Sequence, residues 1–365
     1  NAETSRFQTD AGWCVRGGAA QASIERGSAV SKAWLDAVTR AAFETADVVG
    51  ARLDAFAGVG RSNRIEMVRM ERVRAFCATL GSRAFRGSWS PAKEEEIVGA
   101  AFGKGAPVES AARRALVRIF TAPEFLYPGL DAGDAGRLRA SGLALALWDS
   151  VPDEALARAA RDGGLKDEAA VRAQATRMLG DPRARAKLAG FFRHWLKLEE
   201  ASDLSKDPKA YPGFDADLAS DLHWSLERFV EDVAWGDQPD FRRLLLSEHV
   251  YVNERLARFY GVEAPATPGF TPVRLDPGQR AGVLTHPLIL ATFSYHRSSS
   301  PIHRGVFLTR NVLGRTLRPP PMAIEFMDDR FDPSLTMREK VTELTGKAAC
   351  MGCHGTINPL GFSLE

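Results

Sequence analysis

The run Cys350-Met351-Gly352-Cys353-His354 constrains this chain more than any other stretch. It is Cys-x-x-Cys followed directly by His, the attachment signature of a c-type haem. The spacing carries the chemistry. Two thiols add across the two vinyl groups of one haem, so they must stand about one helical turn apart. The next residue then lies under the iron and offers an imidazole nitrogen as axial ligand. A bare Cys-x-x-Cys has two rival readings, a redox dithiol and half of a zinc site. The dithiol reading wants a preceding strand within a βαβ unit, and no such pattern precedes Cys350. The zinc reading wants a second ligand pair, whereas Cys14 and Cys77 are distant and not paired in sequence. Cys350, Cys353 and His354 are therefore expected to bind one covalent haem c, with His354 as the proximal iron ligand.

A chain of 365 residues exceeds one typical core, so two or three subdomains are expected. Apolar residues at 45% and charged residues at 26% are ordinary for a globular protein. The net charge of +2, with basic and acidic residues interspersed and no basic run, argues against nucleic acid as a partner. No apolar stretch reaches membrane-spanning length. The chain opens at Asn1 with no signal peptide, which suggests a processed or truncated chain.

Periodicity makes the protein mainly α-helical. Helical apolar spacing runs from Ser28 to Phe56 and from Arg64 to Leu80. Ser90-Pro91 starts a helix, with Ser as cap and Pro at the first helical position. Helices follow over Glu109–Thr121, from Pro152-Asp153-Glu154, and over 167–198 with a split at Gly180-Asp181-Pro182. The second helix of that pair is expected to send Leu188, Phe191, Phe192, Trp195 and Leu196 to a core. Leu218–Trp235 is the most regular amphipathic run. Short helices are expected at Phe241–Leu246 and Asn253–Tyr260, the latter closed by Gly261. Pro265, Pro268, Pro272 and Pro277 mark irregular chain, and Pro319-Pro320-Pro321 imposes extended geometry. Thr336-Met337-Arg338-Glu339 is a capping box, and Gly346 should weaken the helix it opens.

Three segments resemble a multi-domain c-type cytochrome family abundant in planctomycetes, whose domains are of unknown function. They run from Leu80 to Tyr127, from Leu145 through Arg177-Met-Leu-Gly-Asp-Pro-Arg183 to Gly261, and from Gly282 through Ser300-Pro-Ile-His-Arg-Gly305 to Asn358-Pro-Leu-Gly-Phe362. The resemblance implies an exported, mostly helical protein with covalent haem, and it supplies no substrate. The expected organisation is an N-terminal helical region (1–80), a small helical domain (81–128), a helical domain (129–262) and a cytochrome c-like haem domain (263–365).

The second axial position is open to several residues. Met337, Met327, Met322 and His303 are the leading candidates, with His286 and His296 also within the segment 286–337. A straight helix over 337–350 would put Met337 about 20 Å from Cys350, so Gly346 would have to break it. A Met/His pair suits electron transfer. Arg297 and Arg304 could meet haem propionates, as guanidinium forks match carboxylates. The expected function is electron transfer to or from a redox partner protein or a larger envelope complex. The alternatives are a haem enzyme with an open iron site and a haem-bearing scaffold. Haem attachment outside the cytoplasm also predicts a disulfide between the two remaining cysteines, Cys14 and Cys77.

Overall fold

A computed structural model of the protein describes residues 32–60, 65–103, 105–127, 134–201, 203–317 and 326–365. The expected helix start at Ser28, Cys14, the triple proline and Met322 lie outside these residues. Among the described residues the architecture is mainly helical, with one small sheet, and the chain divides into two compact units, Asn1–Leu188 and Ala189–Glu365.

In the first unit, α1 (Lys32–Gly50), α2 (Leu53–Phe56), α3 (Glu66–Ala84), α4 (Pro91–Glu94), α5 (Val108–Thr121) and α6 (Pro123–Leu126) come first. Ser90 caps α4 by accepting from the Lys93 N–H, and Pro91 occupies the first helical position. A π-helical turn, Glu95–Gly99, continues α4. Val73, Cys77, Phe85, Val98, Ala115 and Ile119 form the centre of this core. Cys77 is a free thiol with no exposed surface, and burial pushes its pKa up to about 12. Its expected partner Cys14 falls outside the described residues.

α7 (Ala135–Trp148), α8 (Glu154–Arg161), α9 (Glu168–Leu179) and α10 (Pro182–Trp195) follow. Asp134, Asp153 and Asp167 cap α7, α8 and α9 through their carboxylates. The indole of Trp148 donates to the Met178 carbonyl at 3.0 Å, and the Arg183 guanidinium lies 3.5 Å above its ring. The predicted split at Gly180-Asp181-Pro182 separates α9 from α10. Phe191 departs from expectation: it is 52% exposed, while Phe192 and Leu196 are buried. One helical step of 100° is enough to move a residue off the core face.

The second unit is organised around α11 (Ala216–Trp235), capped by Asp215. Its Leu222, Leu226, Phe229, Val230 and Val233 are buried, as the 3.6-residue period predicts. α12 (Phe241–Leu246) is followed by strand β1 (His249–Val252), and α13 (Glu254–Tyr260) ends at Gly261 in left-handed backbone. β1 pairs antiparallel with β2 (Thr271–Arg274), in register His249 with Arg274 and Val252 with Thr271. This hairpin-like pair replaces part of the irregular chain expected around Pro272. Strands of four residues show too little alternation to read, and Pro272 is tolerated because a two-stranded sheet has only edge strands.

α14 (Pro287–Thr292) starts on His286, which is buried. Nδ1 accepts from the Leu288 N–H at 3.2 Å, and Nε2 stands 3.3 Å from Ser225 Oγ. Ser225 gives its own hydroxyl hydrogen to the Tyr251 carbonyl, so its oxygen receives the Nε2–H. His286 is thus neutral. Burial first, and Arg280 second, depress its pKa to about 3. A second buried polar contact holds the next stretch of chain. Lys206 donates to Ser294 O (3.2 Å), Ser294 Oγ (2.7 Å) and Tyr295 O (3.0 Å). Asp207 N–H adds a bond to His296 O.

The His286 arrangement carries a pH dependence of definite sign. The folded pKa lies below the ordinary value, so between about pH 3 and 6.5 the unfolded chain holds the extra proton. The contribution is complete above 6.5 and is lost as pH falls, with a slope approaching about 1.4 kcal/mol per pH unit. Denaturant unfolding at pH 7 and pH 5 should show this loss. His286→Asn, which keeps an acceptor at the helix start, should flatten it.

Candidate functional site

The cysteines and histidine of the Cys-x-x-Cys-His run sit on the last helix of the described chain. α15 (Pro301–Phe307) begins at Ser300, whose Oγ accepts from the His303 N–H, and runs into a π-helical turn, Leu308–Val312. α16 (Met337–Thr345) opens with the predicted capping box: Thr336 Oγ1 accepts from the Glu339 N–H, and the Glu339 carboxylate accepts from the Thr336 N–H. Gly346 ends α16, Lys347 is extended, and α17 (Ala348–Phe362) begins.

α16 and α17 form an antiparallel hairpin. Thr345, at the end of α16, meets Asn358 of α17, while Arg338, at its start, donates to the Phe362 carbonyl at 2.8 Å. Arg338 also lies 5.0 Å over the Phe362 ring. It thereby satisfies a terminal carbonyl and places positive charge at the negative end of the helix dipole.

α15 crosses α17 backbone to backbone. A Cβ on Gly305 would strike the Ile357 carbonyl, and a Cβ on Gly361 would strike the Pro301 carbonyl. These two contacts also set the direction: α15 advances from Pro301 to Gly305 as α17 recedes from Gly361 to Ile357. The π turn that extends α15 packs against α17 as well. Pi-helical turns inside helices often accompany functional sites.

Along α17, Cys350, Cys353, His354, Ile357, Asn358 and Gly361 recur at three- and four-residue steps and share one face. The later half of that stripe is buried: Ile357 is 5% and Asn358 7% exposed. The earlier half is accessible, with Cys350 and His354 half-buried and Cys353 exposed. Both thiols are free. Their offset is three residues, about 4.5 Å of helix rise, with side chains on adjacent positions of the same face.

The imidazole is oriented by a side-chain amide. Asn358 Nδ2 donates to Thr345 Oγ1 at 2.8 Å, and Thr345 Oγ1 gives its own hydrogen to the Val341 carbonyl at 2.7 Å. Asn358 Oδ1 is then an acceptor, and it stands 2.9 Å from His354 Nδ1. Nδ1 of His354 is therefore the donor to Asn358, and in the neutral ring the lone pair falls on Nε2. Two free thiols on one stripe and an imidazole whose Nδ1 is held by Asn358 form a donor set that fits a covalently attached haem. Among the described residues no group of three or more His, Cys, Asp or Glu side chains is arranged to hold a bare metal ion.

The partner of His354 Nδ1 is the Asn358 side chain. The i, i+4 spacing of His354 and Asn358 was the available signal. It was hidden because Pro359 and three glycines obscure the helix that makes the spacing meaningful.

The other candidates are scattered. His286 has both ring nitrogens engaged in the core, as described above. His303 is two residues from both Pro301 and Gly305, which puts it on the side of α15 turned from α17; its Nδ1 stands 3.1 Å from Ser300 Oγ. His296 is exposed beside the Asp207 loop. Met337 neighbours Arg338, whose guanidinium reaches Phe362, eight residues or about 12 Å of helix beyond His354. Met327 precedes a 3₁₀ turn at Asp328–Arg330, and Asp328 pairs with Lys340 of α16 at 2.7 Å. Met322 is outside the described residues. Arg297 is exposed and pairs with Asp207 at 3.2 Å. Arg304 is buried and donates to Leu364 O, Glu365 and Leu290 O, at 2.6, 3.0 and 3.1 Å. Neither guanidinium is brought to the Cys350–His354 stripe by these contacts. Ser299 donates to Glu365 and Ser300 serves as the cap, so both serines have structural partners.

Residues 137–262 match the family model PSD4, described as a protein of unknown function (DUF1592), and residues 280–365 match PSCyt3, described as a protein of unknown function (DUF1588). These are the tandem domains of unknown function typical of the planctomycete cytochrome c family. The Cys350–His354 stripe lies inside the second match. No curated protein and no solved structure matches the chain.

The glycine crossing generates a stability prediction. Gly361→Ala forces a methyl group against backbone that cannot move without parting two helices, and should destabilise the second unit by about 3 kcal/mol or more. Gly352→Ala, with open space around its Cα, should instead be neutral or slightly stabilising. Thermal unfolding followed by circular dichroism distinguishes the two.

Proposed function

We propose that this chain is an exported c-type cytochrome that carries one covalent haem and exchanges single electrons with a redox partner protein or a larger envelope complex. One observation carries the reading: Cys350, Cys353 and His354 share a stripe of one helix, and the histidine's Nδ1 is held by the Asn358 side chain. The two domain matches support it, because their families are typical of planctomycete cytochromes c. Export follows from the attachment chemistry implied by the motif. Among the described residues no helix is long and apolar enough to cross a membrane.

Haem supplies reversible one-electron chemistry at its iron when bound. The chain's own residues do the rest. Cys350 and Cys353 offer the two thiols, and His354 offers Nε2. Asn358 keeps the hydrogen on Nδ1, and the buried lower half of the stripe holds α17 in place. A methionine of the segment 286–337 would supply the second protein ligand to a bound haem. Met327 is first among the described residues, since His286 is committed to the core and Met337 sits toward the far end of the hairpin.

Two experiments test this. The full chain expressed with haem-attachment machinery should contain one covalent haem, as measured by its alkaline pyridine spectrum. Cys350→Ala and Cys353→Ala should lower that content sharply, and His354→Ala should retain haem with an altered spectrum. A parent chain that takes up no haem overturns the assignment. In the second experiment, the reduced protein should bind carbon monoxide slowly or not at all. The ferric protein should show the weak far-red band of methionine ligation, and Met327→Ala should remove it. Rapid binding with no such band would favour a haem enzyme with an open iron site.

A further inference from the structure

The hydrogen-bond chain behind His354 has a fixed direction at every link. Thr345 Oγ1 has one hydrogen and gives it to the Val341 carbonyl at 2.7 Å. Its oxygen accepts from Asn358 Nδ2 at 2.8 Å, and this in turn orients Asn358 Oδ1 toward His354 Nδ1 at 2.9 Å. Thr345 is 4% and Asn358 7% exposed, so the links are shielded from competing water. The series begins at a main-chain carbonyl of α16 and ends on the imidazole of α17.

The identity of the acceptor matters. A histidine whose Nδ1–H points at a carboxylate becomes a stronger donor through Nε2, because the carboxylate draws on the proton. A neutral amide draws on it less and does not titrate in the physiological range. We propose that Asn358, oriented by Thr345, is a positioning residue that makes His354 an Nε2 ligand of moderate basicity and so sets the reduction potential of the site. This rests on the haem reading above and deepens it. The device is local to the α16–α17 hairpin, because Val341, Thr345, His354 and Asn358 all belong to those two helices.

The test has an arm that needs no haem. In the full-length reduced apoprotein near pH 8, nitrogen-15 spectra should show His354 predominantly as the Nδ1–H tautomer. Asn358→Leu should move it to the Nε2–H tautomer that free imidazole prefers. Thr345→Val, close to isosteric, should lower the Nδ1–H fraction while leaving the fold intact. A parent in the Nε2–H form, or variants with unchanged tautomer populations, would overturn the relay. In the haem-loaded chain, Asn358→Asp should favour the oxidised state at least tenfold, a fall in midpoint potential of about 59 mV for one electron. The fall should diminish as pH is lowered through the titration of the new carboxyl group. An unchanged potential sinks the proposal. Haem content is measured separately in the parent. A chain without haem therefore refutes the haem reading, while the apoprotein spectra still decide whether Asn358 directs His354. If Asn358→Asp does not fold, Thr345→Val carries the decision through its tautomer population.

Discussion

Two glycines let α15 and α17 meet backbone to backbone, and the candidate site depends on that contact. α17 is a poor helix by composition, with Gly352, Gly355, Gly361 and Pro359 among its residues. Relative to alanine these four positions cost about 6 kcal/mol of helix propensity. Pro359 also has no N–H to offer the Gly355 carbonyl. Isolated, such a segment would not remain helical. Burial of Ile357 and Asn358, the close approach of Gly305 and Gly361, and the Arg338 bond to Phe362 hold it. The residues that weaken the helix locally include one that permits its packing.

The consequence for the site is geometric. One face of α17 does two tasks: its C-terminal half is buried in the unit's core, and its N-terminal half presents thiols and imidazole. The orientation of His354 is inherited from the buried half, through Asn358 and Thr345. Further back, Lys206 fastens the Ser294–Tyr295 segment just before Ser300 and Pro301 start α15. A cation that is 8% exposed, with its pKa pulled to about 8 by burial first and by Arg304 second, costs desolvation energy. Three oxygen acceptors offset that cost and fix the loop.

Elements specified by near neighbours were legible. Ser90 and Thr336 cap helices where a short polar side chain meets the start of an apolar period, and each does so through its own oxygen. The buried face of α11 follows the same logic, since a period of 3.6 residues over twenty residues leaves little ambiguity. Phe191 was misread because it lies beside that kind of period and not on it. The β1–β2 pair was missed because each strand depends on a partner about twenty residues away.

The sequence by itself determined the chemistry on offer: two thiols three residues apart and an adjacent imidazole, within a chain of helical period. Those are properties of residue type and short spacing, which covalent structure carries unaided. Only the tertiary structure decided that Cys350 to Phe362 is one helix, that Asn358 is the partner of His354, and that His286 belongs to the core. The helix and the place of His286 turn on contacts between residues far apart in sequence, and the i, i+4 pairing of His354 with Asn358 exists only once that helix is held. A buried amide or imidazole takes its role from whichever donors and acceptors the fold brings within reach.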